Sequence, residues 1–346
     1  MASMIAMWRK SLAGLIRMDD KREWDALDVL SKWFIATRSA VGTITLYSGL
    51  IGGLLAWQYL HALGRSFDVL TWLILTVGLF IAHGTNNLLN DYTDYTRGID
   101  KDNYFRTLYG VHPLAQGFWD RRTALTWFGV SGFLATLSGI YAMLLTRFDP
   151  LVVGLFVFGA LILLFYTYPL KYVGIGELSI FLIWGPIMIG GVFYVLTGVW
   201  DWMVVLASIP VGLNVVTINL SKHTDKARED KGKGVRTIPV LLGETAGRYI
   251  TMGAIVVSYL ITIYLVFVAR FFTPALLLIL LAIGPARAAI QKLSQPRPTE
   301  APAGYPAWPL WYSAVCFVHN RLFSNYFVIG LILDTLLRTF LPQFWH

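Results

Sequence analysis

Residues 69–100 read VLTWLILTVGLFIAHGTNNLLNDYTDYTRGID. The first part of this stretch is apolar for about twenty residues, the length a helix needs to cross a bilayer. It leads directly into Asn86, Asn87, Asn90, Asp91 and Asp94. On a continuing helix Asn86, Asn90 and Asp94 recur every four residues and share one face, which Asp91, three before Asp94, joins. Carboxylates at this membrane depth are costly and mark function by default. Carboxylate and amide oxygens in such spacing suit a hard cation such as Mg²⁺, which keeps waters and often bridges to substrate phosphates.

Outward from this stretch the pattern repeats. Apolar runs at 40–60, 69–89, 123–146, 150–167, 175–199, 203–220, 247–268, 272–286 and 324–341 predict about nine transmembrane helices in an all-α, polytopic protein. The eighth is the shortest. Gly185-Pro186 and Pro285 interrupt two runs, which membrane helices tolerate when neighbours satisfy the freed backbone groups. Residues 305–318 are apolar but contain Pro306 and Pro309, and read as an interfacial or re-entrant piece preceding His319, Asn320 and Arg321 in a loop. Segment 1–39 mixes Ile5, Trp8, Leu12 and Ile16 with Arg9, Lys10 and Arg17. It has neither the apolar core nor the cleavage site of a signal peptide and reads as an interfacial amphipathic helix. The organisation expected is that segment followed by one transmembrane domain, 40–341, around a central cavity.

Composition agrees. Of 346 residues 56% are hydrophobic and 14% charged, against about 25% charged in soluble domains. Disorder is excluded by the hydrophobicity, and a disulfide framework by Cys316 being the one cysteine. The net charge of +8 raises nucleic acid as a partner, but the cations scatter over several loops that also hold acids, which removes that reading. Nine alternating helices put 24 of the 28 Lys and Arg on the side of the N-terminus, leaving Arg65, Arg147, Arg270 and Arg338 opposite. The positive-inside rule then places the N-terminus and the acidic loops in the cytoplasm and the C-terminus outside. The membrane expected is a prokaryotic plasma membrane.

A second acidic loop follows the sixth run, as the first follows the second. It reads NLSKHTDKAREDKGKGVRTIP from Asn219 to Pro239. Asp225 and Glu229 are four apart, and Asp230 is shifted by one position. Lys222, Lys226, Lys231, Lys233 and Arg236 surround them. Acids alone suggest a metal; acids interleaved with cations suggest a metal plus an anion, and a diphosphate fits best. A transporter with charged gates is the competing class. Mid-helix charge is almost absent, which favours an enzyme.

These motifs together resemble the UbiA superfamily of intramembrane aromatic prenyltransferases. Asn90-Asp91-x-x-Asp94-x-x-x-Gly98-x-Asp100 is similar to the 1,4-dihydroxy-2-naphthoate branch of menaquinone synthesis, as are the segment Tyr168 to Glu177 followed by Gly185-Pro186, and the segment Gly234 to Gly243. Two departures stand out. Lys222-His223-Thr224-Asp225 occupies the place of the family's usual Arg-Asp pair, and its aspartates, normally four apart, are five apart here. His112-Pro113-Leu114-Ala115-Gln116-Gly117 replaces a Gly-Pro-x-Arg-like text.

The resemblance implies transfer of a polyprenyl group from its diphosphate to an aromatic acceptor, through an allylic cation, with two Mg²⁺ ions. It implies Asn90, Asp91 and Asp94 for one ion, with Asp100 in support, and Asp225 with Glu229 or Asp230 for the other. Arg97, Lys171, Lys222 and Arg236 become phosphate clamps, and Arg38 meets an acidic acceptor or anchors the first helix. Tyr168 is an aromatic contact, and His223 a better proton acceptor than the helix-packed His83. A glycerol ether phosphate or a chlorophyll precursor is the alternative acceptor within the same superfamily.

Overall fold

The computed structural model describes residues 2–100, 105, 110–341 and 343. All regular structure among them is helical. Three short N-terminal helices, α1 (Ala2–Ala13), α2 (Lys21–Asp25) and α3 (Val29–Ala36), precede α4 (Ser39–Ala62) and α5 (Val69–Thr96). Then come α6 (Arg121–Leu145), α7 (Pro150–Phe165), α8 (Gly176–Thr197) and α9 (Trp202–Asp225). Two short helices, α10 (Ala227–Gly232) and α11 (Ile238–Leu242), lead to α12 (Glu244–Phe267), α13 (Pro274–Leu293) and α14 (Tyr312–Phe340). Eight of these are long and apolar enough to span a bilayer, and α7 is a ninth, shorter apolar helix. The protein is an integral membrane protein.

The helices begin where aspartates cap them. Asp68 accepts from the backbone N–H of Thr71 at 3.0 Å, Asp120 from Thr123 at 2.7 Å, Asp149 from Leu151 at 2.9 Å and Asp201 from Met203 at 2.7 Å. Each satisfies an N–H that has no partner inside its own helix, the requirement at every helix start. These four aspartates therefore mark span boundaries.

Two boundaries differ from the hydropathy reading. The short span is α7, with 16 residues, while the run at 272–286 extends to a 20-residue helix ending at Leu293. The last helix starts at Tyr312 rather than 324, so the expected re-entrant piece is partly helix and His319, Asn320 and Arg321 lie inside α14. The reason is distant in sequence. Asp225, at the end of α9, accepts from the N–H groups of Tyr312 at 2.9 Å and Ser313 at 3.0 Å, and from Ser313 Oγ at 2.6 Å. It thus supplies the N-terminal cap that the local sequence lacks. His319 and Asn320 are buried, with Tyr259 Oη 3.1 Å from His319 Nε2.

The bundle surrounds a cavity of about 910 Å³ lined from α4 to α9 and by the start of α14, while α12 and α13 pack outside it against α9 and α14. Helix α8 widens to a π-helix over Ile183–Gly190, around Pro186. Ser48 Oγ donates to the Trp184 carbonyl at 2.9 Å and so ties this segment to α4. Ile183, Trp184, Ile187 and Met188 from this segment all face the cavity. At 28 residues α5 runs about 42 Å, well beyond a hydrocarbon core of about 30 Å. Its last turns, with Asn90 and Asp94, therefore emerge at the polar end of the cavity.

Segment 1–39 covers that end. Ile16, Met18, Trp24 and Ile35 pack with Leu88, Val111 and Trp119 in a cluster of their own, and Leu15 reaches the cavity.

Close packing of α4 on α8 depends on Gly52, where an added Cβ would lie 2.8 Å from the Ile189 carbonyl oxygen. Gly52→Val is expected to destabilise the protein by about 1–3 kcal/mol. Gly253→Ala, in mid-helix where nothing lies within 4 Å, is expected to leave the protein as stable or to stabilise it by up to about 1 kcal/mol. Thermal unfolding in detergent compares the two.

Candidate active site at the polar mouth of the cavity

Asn86, Asn90 and Asp94 line the cavity together, on the face their spacing predicts. Asn86 Nδ2 donates to the Leu163 carbonyl at 2.9 Å and Asn90 Nδ2 to Thr167 Oγ1 at 2.9 Å, which ties α5 to the end of α7. With its nitrogen so engaged, the Asn90 amide oxygen is left as a ligand. Asp94 Oδ2 accepts from Lys171 Nζ at 2.9 Å, and both side chains are buried. The other oxygen, Asp94 Oδ1, is buried without a hydrogen-bond partner.

Asp91 departs from this face. It turns away from the cavity lining to Arg38, 3.1 Å distant. Arg38 does line the cavity, and it also donates to Asn87 Oδ1 at 3.1 Å.

Beyond α5 the chain reverses at Gly98, whose φ of +75° is a conformation glycine adopts without strain. This returns Asp100 to the cavity wall, where His112 Nε2 lies 2.9 Å from Asp100 Oδ2. Gln116 Oε1 accepts from the His112 N–H at 2.8 Å, and Gln116 Nε2 donates to the Met18 carbonyl at 2.8 Å. The unusual His112-to-Gln116 text is thus a brace for Asp100.

The second acidic loop contributes differently. Lys222, His223 and Lys226 line the cavity; Asp225, Glu229 and Asp230 do not. Both Asp225 oxygens are engaged in capping α14. Asp230 is buried and pairs with Lys226 Nζ at 3.0 Å, whereas Glu229 is half-exposed. His223 Nδ1 lies 2.7 Å from Glu177 Oε1, which also accepts from the Ile238 N–H at 3.2 Å and so joins α8, α9 and α11.

Two lysines connect the loops. Burial works against the Lys171 ammonium, but Asp94 and then Asp230 outweigh it and hold its pKa above that of an ordinary lysine. Burial likewise pushes the Asp230 carboxyl up, yet Lys226, His223 and Lys171 together hold it below the usual carboxylate range. Lys233 Nζ donates to the backbone carbonyls of Gly98 and Ile99, tying the second loop to the first turn.

Of the residues expected from sequence, Arg38, Asn90, Asp94, Asp100, Lys171, Lys222 and His223 come together on one wall. Asp91, Arg97, Tyr168, Asp225, Glu229, Asp230 and Arg236 lie outside the lining. Arg97 is exposed and stacks 3.7 Å above the Tyr168 ring, and Arg236 is exposed. Sequence reasoning gave His112 and Thr167 no role, and Lys226 none of its own. The i, i+4 spacing of Lys226 and Asp230 was the available signal.

Among the described residues no three His, Cys, Asp or Glu side chains converge on a point that could hold a metal. A divalent ion at the mouth would take the orphaned Asp94 Oδ1, the Asn90 amide oxygen and Asp100. That set fits Mg²⁺, which pairs one or two carboxylates with water and phosphate oxygens.

A family model described as the UbiA prenyltransferase family matches residues 46–319. The chain belongs to the UbiA prenyltransferase family. The resemblance carried by its motifs is thereby established, and with it the enzyme class of prenyltransferase. The UbiA prenyltransferase domain-containing protein 1 homolog of Drosophila melanogaster is 29% identical over 223 residues, covering 63% of this chain and 59% of that protein. The chain thus matches less than two thirds of that relative. The 1,4-dihydroxy-2-naphthoate octaprenyltransferase of Bacillus subtilis is 26% identical over 238 residues, 66% of this chain and 72% of that protein. Two solved structures share the fold. A UbiA homolog from Aeropyrum pernix K1 has a TM-score of 0.60 at 17% identity, over 85% of this chain and 97% of that one. A UbiA homolog from Archaeoglobus fulgidus bound to GPP and Mg²⁺ has a TM-score of 0.50 at 12% identity, over 87% of this chain and 99% of that one.

In this UbiA-family protein the Asp94–Lys171 pair is a buried charge pair with both partners on the cavity lining. Lys171→Ala and Asp94→Ala are each expected to destabilise by about 3–5 kcal/mol, because each leaves a buried charge unmatched. The double variant loses less than the sum. A double-mutant cycle on unfolding in detergent measures the coupling.

Proposed function

We propose that this protein transfers a polyprenyl group from its diphosphate to an aromatic acceptor of the 1,4-dihydroxy-2-naphthoate type. The observation that carries the reading is the two-ended cavity. Its mouth holds Arg38, Lys171, Lys222 and Lys226 beside Asp94 and Asp100, and its bore is apolar as far as Leu75, Ala142 and Val152. Leu75 and Asp94 both line it and stand 19 residues apart on α5, which makes the bore about 28 Å long. A charged head with a long hydrocarbon tail matches that shape and charge pattern.

The lysines of the mouth bind and orient the diphosphate, each as a point charge with several N–H donors. A Mg²⁺ ion held by Asn90, Asp94 and Asp100 would neutralise the leaving group as the carbon–oxygen bond breaks. The Archaeoglobus neighbour, solved with GPP and Mg²⁺, supports that pairing. The bond's electron pair leaves with the diphosphate, and the allylic cation remains in the bore. There the cavity walls exclude water, and Trp184, Phe156 and Tyr166 offer aromatic faces that attract a cation. Attack by a ring carbon of the acceptor forms the new carbon–carbon bond, and the ring proton goes to His223, held in orientation by Glu177. Asp91 positions Arg38, whose guanidinium meets an acidic acceptor.

The Bacillus relative's named acceptor supports the naphthoate reading. The transmembrane domain 40–341 carries the catalytic residues together with Arg38 just before it, and the excess of cations on the mouth side supports a cytoplasmic mouth. The relatives come from an insect as well as a bacterium, and so lend no support to the prokaryotic source expected from the sequence.

The test is an assay of purified protein with geranylgeranyl diphosphate, Mg²⁺ and 1,4-dihydroxy-2-naphthoate. Prenylated product is expected, with Asp94→Asn reducing kcat/KM by about a hundredfold or more. His223→Ala lowers kcat by a factor of about 10²–10⁴ while diphosphate binding persists. Absence of product and of diphosphate release would overturn the reading. Product only with a glycerol ether phosphate or a chlorophyll precursor would move it to another acceptor.

A further inference from the structure

Among the described residues the polar mouth has one place for a divalent ion, where the two acidic loops suggested two. The first loop presents Asp94 with a free buried oxygen, flanked by Asn90 and Asp100 on the cavity wall. The second loop presents no comparable set. Asp225 is 98% buried and its oxygens receive two backbone N–H groups and a hydroxyl from the start of α14. Recruiting it to a metal would uncap a 29-residue helix. Glu229 lies off the lining. Asp230 keeps one oxygen, Oδ2, without a partner, but Oδ1 pairs with Lys226 at 3.0 Å and the carboxylate also feels Lys171. With Oδ1 taken by Lys226, Asp230 offers a divalent cation a single oxygen with, among the described residues, no neighbouring carboxylate to share it.

Lys226 itself stands where such an ion would act. It reaches the cavity wall while anchored to Asp230, as a cation fixed by a buried carboxylate. Among the described residues the charged groups lining the mouth are the cations Arg38, Lys171, Lys222 and Lys226 and the carboxylates Asp94 and Asp100. The four cationic side chains offer a diphosphate N–H donors, which a single divalent ion on Asp94 complements.

Resting on the diphosphate reading of the site, we infer that this protein uses one divalent cation, held by Asn90, Asp94 and Asp100, and that the Lys226 ammonium replaces a second ion. Lys226 is then a diphosphate-binding residue, and Asp230 the group that positions it. Asp225 is a structural cap rather than a metal ligand.

The experiment counts ions directly. Full-length protein in detergent is titrated with Mn²⁺ in the presence of inorganic diphosphate, and bound Mn²⁺ is followed by electron paramagnetic resonance. One Mn²⁺ per chain, with the six-line spectrum of an isolated ion, is expected. Lys226→Ala should weaken diphosphate binding about tenfold and leave the count at one. Two Mn²⁺ per chain with a spin-coupled spectrum would overturn the inference and leave prenyl transfer standing. So would loss of a bound ion on Asp225→Asn. No Mn²⁺ and no diphosphate bound would overturn both readings.

Discussion

The buried contact between Lys171 and Asp94, at 2.9 Å, is the interaction on which the site depends. Lys171 follows α7 on a short connection and Asp94 ends α5, so the pair ties these two parts of the bundle, and Asp230, after α9, adds a more distant attraction on the same ammonium. A buried charge pair of this kind adds little to stability against an apolar alternative, and removing one partner is expensive. Its value here is geometric. It fixes one oxygen of Asp94 and leaves the other free at the cavity wall, so that a charged ligand completes the arrangement.

The rest of the mouth follows the same logic of one group holding another. Asp91 holds Arg38, His112 holds Asp100, Glu177 holds His223 and Asp230 holds Lys226. The carboxylates Asp91, Glu177 and Asp230 stand behind the wall and the basic groups they orient stand on it. Such preorganisation lets the site receive a dense negative charge with little rearrangement. Below the mouth the widened turn at Pro186 turns Trp184 and its neighbours toward the bore, giving it an aromatic wall beside the polar mouth.

Much of this was legible in the sequence. Apolar length marked the eight spanning helices and the shorter α7, because a helix satisfies its own backbone in lipid. The four-residue period of Asn86, Asn90 and Asp94 gave the cavity face of α5, since helix geometry alone decides it. What the sequence hid depends on contacts between distant residues. Asp225 looks like a metal ligand beside Glu229 and Asp230, yet its partners are 87 and 88 residues away. The same contact hid the start of α14, because its cap is not next to it. Asp91 and Asp94 are near neighbours on one helix, but opposite partners, Arg38 and Lys171, draw them to different sides. The aspartates at 68, 120, 149 and 201 belong to helix starts and take no part in the site.

The central claim is that the ends of α5 and α9, with Lys171 between α7 and α8, form one diphosphate-binding mouth above an apolar bore. A structure of the protein with an unreactive prenyl thiodiphosphate and Mg²⁺ tests it most directly. The account predicts the diphosphate against Lys171, Lys222 and Lys226, with one ion on Asp94. The prenyl chain should run past Trp184 toward Leu75. A diphosphate seated on the outer side, at Glu229 and Arg236, or a prenyl chain lying outside the bore, would contradict it.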